Sequence, residues 1–224
     1  MNGLFITATG TEIGKTFVTA ALCYQLKAAG RSVEAIKPLI SGVEDNTMDG
    51  TDTAIIAEAL GKDLNTETLN AISPFRYRAP LAPSMAAKLE GKTLDYGALL
   101  QFCHDAMARS PLCLVEGVGG SFVPLTDDKL VANWIDDLGL SSIVVAGSYL
   151  GTLSHITATL DAMYARNLPV KALIISESAG EDHPNFESTV EQATTWTDIP
   201  VISIPRLEGR AAWQHAPDLT SLID

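Results

Sequence analysis

Short apolar runs alternate along the chain with longer segments whose apolar residues recur at helical spacing. Gly3-Leu4-Phe5-Ile6-Thr7 begins this pattern as a strand, followed by a Gly/Thr-rich turn. Next comes a helix from about Lys15 to Ala29, with Val18, Ala21, Leu22 and Leu26 on one face. Gly30 ends it, and Ser32 to Ile36 predicts a second strand stopped by Lys37-Pro38. Residues Ser41 to Gly50 read as a polar loop, and helices are expected over Asp52 to Leu60 and Tyr96 to Ala108. Leu112 to Val115 is a continuous apolar run of the kind buried in parallel sheets, and 142–146 and 170–175 repeat it. A helix over about Leu153 to Arg166 separates those two, and Pro200 to Ile204 is a last strand. Alternation of apolar strands with helices predicts an α/β fold: a single doubly wound parallel sheet with helices on both faces.

Length and charge narrow the reading. A chain of 224 residues can bury one full core, so one domain over residues 1–224 is expected. Acidic residues outnumber basic ones 27 to 15, giving a formal net charge of -12 that repels a phosphate backbone. Nucleic acid is therefore not an expected partner, although one pocket can invert the field for a small phosphorylated ligand. No apolar run approaches the roughly 20 residues that span a bilayer, so no membrane partner is expected. The start has no basic or long apolar leader. Cys23, Cys103 and Cys113 are widely spaced, odd in number and set in apolar contexts, which suits reduced thiols and a cytoplasmic protein.

Parallel α/β sheets bind ligands beyond the carboxyl ends of their strands. Five segments satisfy that rule here: Thr9 to Thr16, Lys37 to Ser41, Glu116 to Gly120, Gly147 to Ser154, and Ser176 onward. The first contains Gly14-Lys15-Thr16 where a strand turns into a helix. Successive N–H groups and the helix N-terminus make an anion cradle, with Lys15 on the outer phosphates and the Thr16 hydroxyl on Mg²⁺. The general phosphate-loop spacing misses by one position, because Thr9 stands where it requires glycine. The plainer alternative is a Gly-rich turn with an incidental Lys-Thr pair. Val115-Glu116-Gly117-Val118-Gly119-Gly120 ends an apolar strand, so the Glu116 carboxylate can reach a metal on the same phosphates. Together these predict a P-loop NTPase type of domain.

From Leu4 to about Leu207 the chain resembles the dethiobiotin synthetases. The likeness rests on Thr11 to Thr16, Lys37-Pro38-Leu39-Ile40-Ser41-Gly42, Gly50-Thr51-Asp52, Ser73-Pro74-Phe75 with Pro80 and Pro83, Val115 to Gly120, and Leu150-Gly151-Thr152. It implies a ligase that joins CO₂ or bicarbonate to 7,8-diaminopelargonate at the expense of ATP, through a carbamate and its mixed anhydride with phosphate, closing a cyclic urea in biotin biosynthesis. Lys37 and Lys15 take the catalytic roles, Lys37 on the carbamate. Thr16, Asp52 and Glu116 hold Mg²⁺, a hard oxygen set. The nucleotide falls to Thr11, Glu12, Ile13, Gly14, Lys15, Thr16 and Phe17, with Asp52, Glu116, Gly117, Val118 and Gly119, and its base to Ser176, Pro205, Arg206 and Leu207. Substrate contacts fall to Ser41, Gly119, Gly151, Thr152 and Ser154. The helix opening at Gly151 serves the neighbouring subunit, so a homodimer is implied. On local pattern alone Asp52 also looks like a helix N-cap, and His155 like a packing or capping residue.

The chain departs from the family pattern at four positions. Ala8 and Gly10 stand where the family has glycine and an acidic or amide residue, and Ser84 where it has histidine. Ser176 replaces an adenine-reading asparagine, so looser base recognition is expected. Two alternatives remain at this point: another small P-loop synthetase, or a P-loop ATPase switch that modifies no small molecule.

Overall fold

The computed structural model describes residues 3–44, 48–180 and 183–223. Its main sheet contains β1 (Gly3–Ala8), β2 (Glu34–Ile36), β5 (Cys113–Glu116), β6 (Ser142–Gly147), β7 (Val170–Ser176) and β8 (Val201–Ile204). They run parallel in the order β2-β5-β1-β6-β7-β8. β1, β5 and β6 are buried along their whole length, which explains why they read as unbroken apolar runs.

Side chains alternate between two cores. Leu4, Ile6, Leu114, Ile143 and Val145 face one layer, formed by α1 (Lys15–Ala28), α2 (Asp52–Leu60) and the C-terminal turns at Ala212–His215 and Thr220–Leu222. Phe5, Val115, Val144 and Leu173 face the other, formed by α5 (Tyr96–Arg109), α6 (Val131–Leu138), α7 (Thr152–Tyr164) and α8 (Phe186–Thr195). Phe5 meets Trp134 of α6 edge-on at 5.0 Å, a contact worth about 0.5–1.5 kcal/mol beyond its buried area. It ties β1 to the far layer. The expected doubly wound sheet is thus present.

The pattern left several elements unread. β3 (Leu39–Ser41) and β4 (Phe75–Tyr77) form a second, two-stranded parallel sheet, a small addition to the single sheet expected. α3 (Thr66–Ile72), α4 (Pro83–Leu89), α6 and α8 were also unread. Most of these elements are too short to complete a recognisable period. The expected polar loop over 41–50 therefore starts inside β3, and its residues 45–47 lie outside the described ones. α2 begins at Asp52 as expected, but Thr51 is its N-cap, its hydroxyl oxygen accepting from Ala54 N at 3.3 Å. Asp52 is thereby released from capping.

Candidate active site

All strand carboxyl ends point to one edge, where the phosphate loop leaves β1. The loop is tethered to its neighbour strand by Thr9 N donating to the Val145 carbonyl at 2.9 Å. Gly14 sits at the N-cap of α1 with φ 103°, a left-handed conformation that disfavours a side chain. A Cβ there would also lie 3.1 Å from Ser176 Oγ. Beneath the loop, Ser121 N and its hydroxyl both donate to the Ala8 carbonyl, at 2.9 and 3.1 Å. A Cβ on Gly120 would come within 3.2 Å of Ala8 O, Gly10 N and Thr9 C, so the loop after β5 packs directly on the phosphate loop.

A charged cluster forms where β2, α2, β5 and α1 converge. Lys37 is only 3% exposed; its ammonium lies 2.7 Å from Asp52 Oδ2 and 2.6 Å from Glu116 Oε1. The Thr16 hydroxyl donates to the same Glu116 Oε1 at 2.7 Å. Glu116 is fully buried, and its Oε2 has no hydrogen-bond partner. Burial alone would lower the Lys37 pKa, but the Glu116 and Asp52 charges outweigh it and raise it. Asp52 likewise resists burial, held below the usual carboxylate range by the Lys37 charge and its hydrogen bond. Lys15 is buried with its ammonium donating to Gly10 O at 3.2 Å, and burial plus the Lys37 charge push it down to about 8.

Two clefts meet at Gly14. The first, about 540 Å³, is lined by Thr11 to Phe17, Lys37, Ser41, Asp52, Val118 and Gly119. Glu116 and Gly117, expected on the nucleotide, do not line it: both are buried, with the Gly117 carbonyl 3.5 Å from the Lys37 ammonium. The second, about 560 Å³, shares Glu12, Ile13, Gly14 and Phe17, and adds Ser176 and Pro205 to Leu207. Tyr149, Glu177, Ser178 and His183 also line it and were missed in the sequence. Their position just beyond β6 and β7 was the available signal.

Gly151, Thr152 and Ser154 reach neither cleft within one chain. They begin α7, where the Thr152 hydroxyl donates to the Gly147 carbonyl at 2.6 Å and Ser154 lines a shallow surface pocket beside Trp196. His155 neither packs in the core nor caps; its Nδ1 pairs with the Tyr149 hydroxyl at 2.8 Å. Cys23, Cys103 and Cys113 are free and buried, as expected.

A glycine-containing loop at a helix N-terminus, next to two carboxylates and a buried lysine, has the chemistry that a nucleotide requires, and comparison with known proteins gives its kind. An AAA domain family model matches residues 2–210. The ATP-dependent dethiobiotin synthetase BioD of Phenylobacterium zucineum is 38% identical over 96% of this chain and 93% of its own. The protein of the same name from Caulobacter sp. is 42% identical over 100% and 96%. The chain belongs to the ATP-dependent dethiobiotin synthetase family. Like other members, it is a P-loop ligase that uses ATP. The fold reaches further than the family. A ParA family ATPase from Chlorobium tepidum matches with TM-score 0.53 at 15% identity, covering 92% of this chain and 85% of that one. The septum site-determining protein MinD of Pyrococcus horikoshii matches at 0.53 and 16%, covering 91% and 80%. Those likenesses concern the fold alone, so the ATPase-switch alternative gains nothing from them. Among the described residues no helix is long and apolar enough to cross a membrane.

Proposed function

We propose that this chain, acting as one domain over residues 1–224, joins CO₂ to 7,8-diaminopelargonate and closes the dethiobiotin ring at the expense of ATP in biotin biosynthesis. Family membership over nearly the whole chain supports this. The observation that carries it is the Lys37–Asp52–Glu116–Thr16 cluster directly beside the phosphate cradle. In this reading one substrate amine attacks CO₂ and forms a carbamate. A carbamate oxygen takes the terminal phosphoryl group of ATP, and ADP leaves. The second amine then attacks the carbamoyl carbon, phosphate departs with the C–O electron pair, and the urea closes.

The residues suit these steps. Lys37 faces the cleft from the end of β2 as the cation that holds the carbamate oxygens, with Ser41 a hydrogen-bonding group on the same wall. Lys15 bridges the outer phosphates, and the N–H groups of Thr11 to Thr16 hold their oxygens. Asp52, Glu116 and Thr16 would hold Mg²⁺. The buried, unpartnered Glu116 Oε2 and the all-oxygen donor set fit such an ion. When bound, it neutralises charge on the transferring phosphoryl group.

The second cleft receives the base, with Ser176 and Pro205 to Leu207 as its walls. A homodimer completes the substrate site, with Gly151, Thr152 and Ser154 of one copy reaching the other's cleft. Leu81 just before α4, Met85 and Leu89 within it, and Leu150 at 82% exposure offer apolar surface for that contact. Three buried free thiols suit a cytoplasmic setting.

The deciding experiment incubates the protein with 7,8-diaminopelargonate, bicarbonate, Mg²⁺ and ATP and analyses the products by mass. The expected outcome is dethiobiotin with one phosphate released per urea formed. Phosphate release with the diamine unchanged would refute the proposal.

A further inference from the structure

Lys37 occupies the place of an ion. Its ammonium bridges Asp52 Oδ2 and Glu116 Oε1, the two carboxylates that the proposed function gives to the metal. We propose that Lys37 is a built-in substitute cation: it closes the metal site in the ligand-free protein and is displaced into the cleft when a divalent ion enters with the nucleotide. This inference rests on the reading of Asp52, Glu116 and Thr16 as metal ligands.

Three observations carry it. First, the Glu116 carboxylate has no exposed surface, so no bulk water offsets its charge or its repulsion from Asp52. A carboxylate buried in this way needs a cation close by, and Asp52, with 39% of its side chain exposed, holds the other side of that ammonium. Second, Glu116 Oε1 already accepts from both the ammonium and the Thr16 hydroxyl. Thr16 can keep that bond while a lone pair of its oxygen ligates an ion, so the ammonium is the group that closes the site. Third, Glu116 Oε2 stays buried without a partner, an acceptor that the lysine does not serve.

Exclusion is electrostatic. An ion bound at about 2.1 Å to the same two oxygens would stand within about 4.7 Å of the ammonium in a water-poor site, where like charges repel strongly. The consequence is an order of events. Metal and nucleotide bind first, and only then is the Lys37 cation released to hold the carbamate.

Mn²⁺ binding in saturating ADP, followed by the paramagnetic resonance of free Mn²⁺, tests this without turnover. Lys37→Gln is expected to tighten Mn²⁺ at least tenfold, whereas Glu116→Gln and Asp52→Asn weaken it at least tenfold. If neither carboxylate variant weakens it, the ligand reading itself is wrong. If they do and Lys37→Gln fails to tighten it, the exclusion is wrong and the ligand reading stands. Acetylation of wild-type Lys37, measured by peptide mass against Lys62 in ADP with and without Mg²⁺, decides the case should Lys37→Gln not fold. Mg²⁺ is expected to raise the relative rate at least threefold. An unchanged or slower rate overturns the proposal.

Discussion

On one side of Gly14 the cleft is charged and assembled from strand ends. Lys37, Asp52 and Glu116 are joined by contacts of 2.6 and 2.7 Å; strand register places the ends of β2 and β5, and the start of α2 supplies Asp52. On the other side the walls are loop segments held by small polar clasps. Ser148 and Ser178 exchange hydrogen bonds of 2.9 Å each, and Glu177 Oε2 accepts from Arg206 N at 2.7 Å. The two clefts are thus different kinds of structure. A buried ionic network has few low-energy arrangements, because every unpaired charge in it is costly. Hydroxyl clasps can rotate to donate or accept, so on the proposed reading the base end is expected to tolerate variation that the phosphate end does not.

The sharpest way to break this contrast is Lys15→Ala. Losing that cation removes several kcal/mol of transition-state stabilisation, so kcat/KM is expected to fall about a thousandfold. Steady-state assays retaining more than about a tenth of wild-type turnover would show that the charged end is not where the phosphates react.

The base end should show its looseness in specificity. With Ser176 in place of an amide, ATP is expected to be preferred over CTP and GTP by less than about a thousandfold in kcat/KM, roughly 4 kcal/mol. A larger ratio at fixed Mg²⁺ would mean that the clasped loops read adenine strictly, and the contrast would dissolve.

Gly120→Ala probes how rigid the phosphate end is. Its Cβ would meet only backbone, at 3.2 Å, so the phosphate loop must shift by a few tenths of an ångström. ADP affinity is expected to fall about tenfold, near 1.4 kcal/mol. Unchanged calorimetric affinity would show that the cradle yields as easily as the base loops.

The smallest effect concerns protons. Lys15, near 8 in the free protein beside Lys37, Glu116 and Asp52, is partly neutral at pH 8.5. A bound polyphosphate favours its charged form and raises that value, so nucleotide binding at pH 8.5 takes up a fraction of a proton. Its stability sign is the reverse of a paired lysine's: the folded pKa is depressed, so the cost of charging it is full below about 8 and fades as pH rises toward 10.5. Calorimetry in buffers of different ionisation enthalpy measures the uptake. An equal uptake in Lys15→Met would assign the proton to another group.

Where the sequence succeeded and failed follows the same division. Gly14-Lys15-Thr16 and Glu116-Gly117 were legible because their chemistry is local: a helix N-terminus, a strand end and the residues that punctuate them. Lys37 and Asp52 were picked out singly from the motifs around them, but nothing local says that a lysine following β2 will sit between carboxylates from α2 and β5. Tyr149 and Glu177 went unread as individual residues because a cleft wall needs only shape and one or two polar atoms, which leave no spacing to recognise. β3 and β4, three residues each, were invisible for want of length.

The sequence by itself determined the parallel sheet, the two helical layers and the phosphate cradle, because hydrophobic period and turn chemistry act within a few residues. Only the tertiary structure decided that Lys37 neutralises Asp52 and Glu116, that Thr51 rather than Asp52 caps α2, and that Gly120 lies against the phosphate loop. Those outcomes depend on which strands become neighbours: β5 inserts between β2 and β1, bringing Glu116 beside Lys37 across 79 residues of chain.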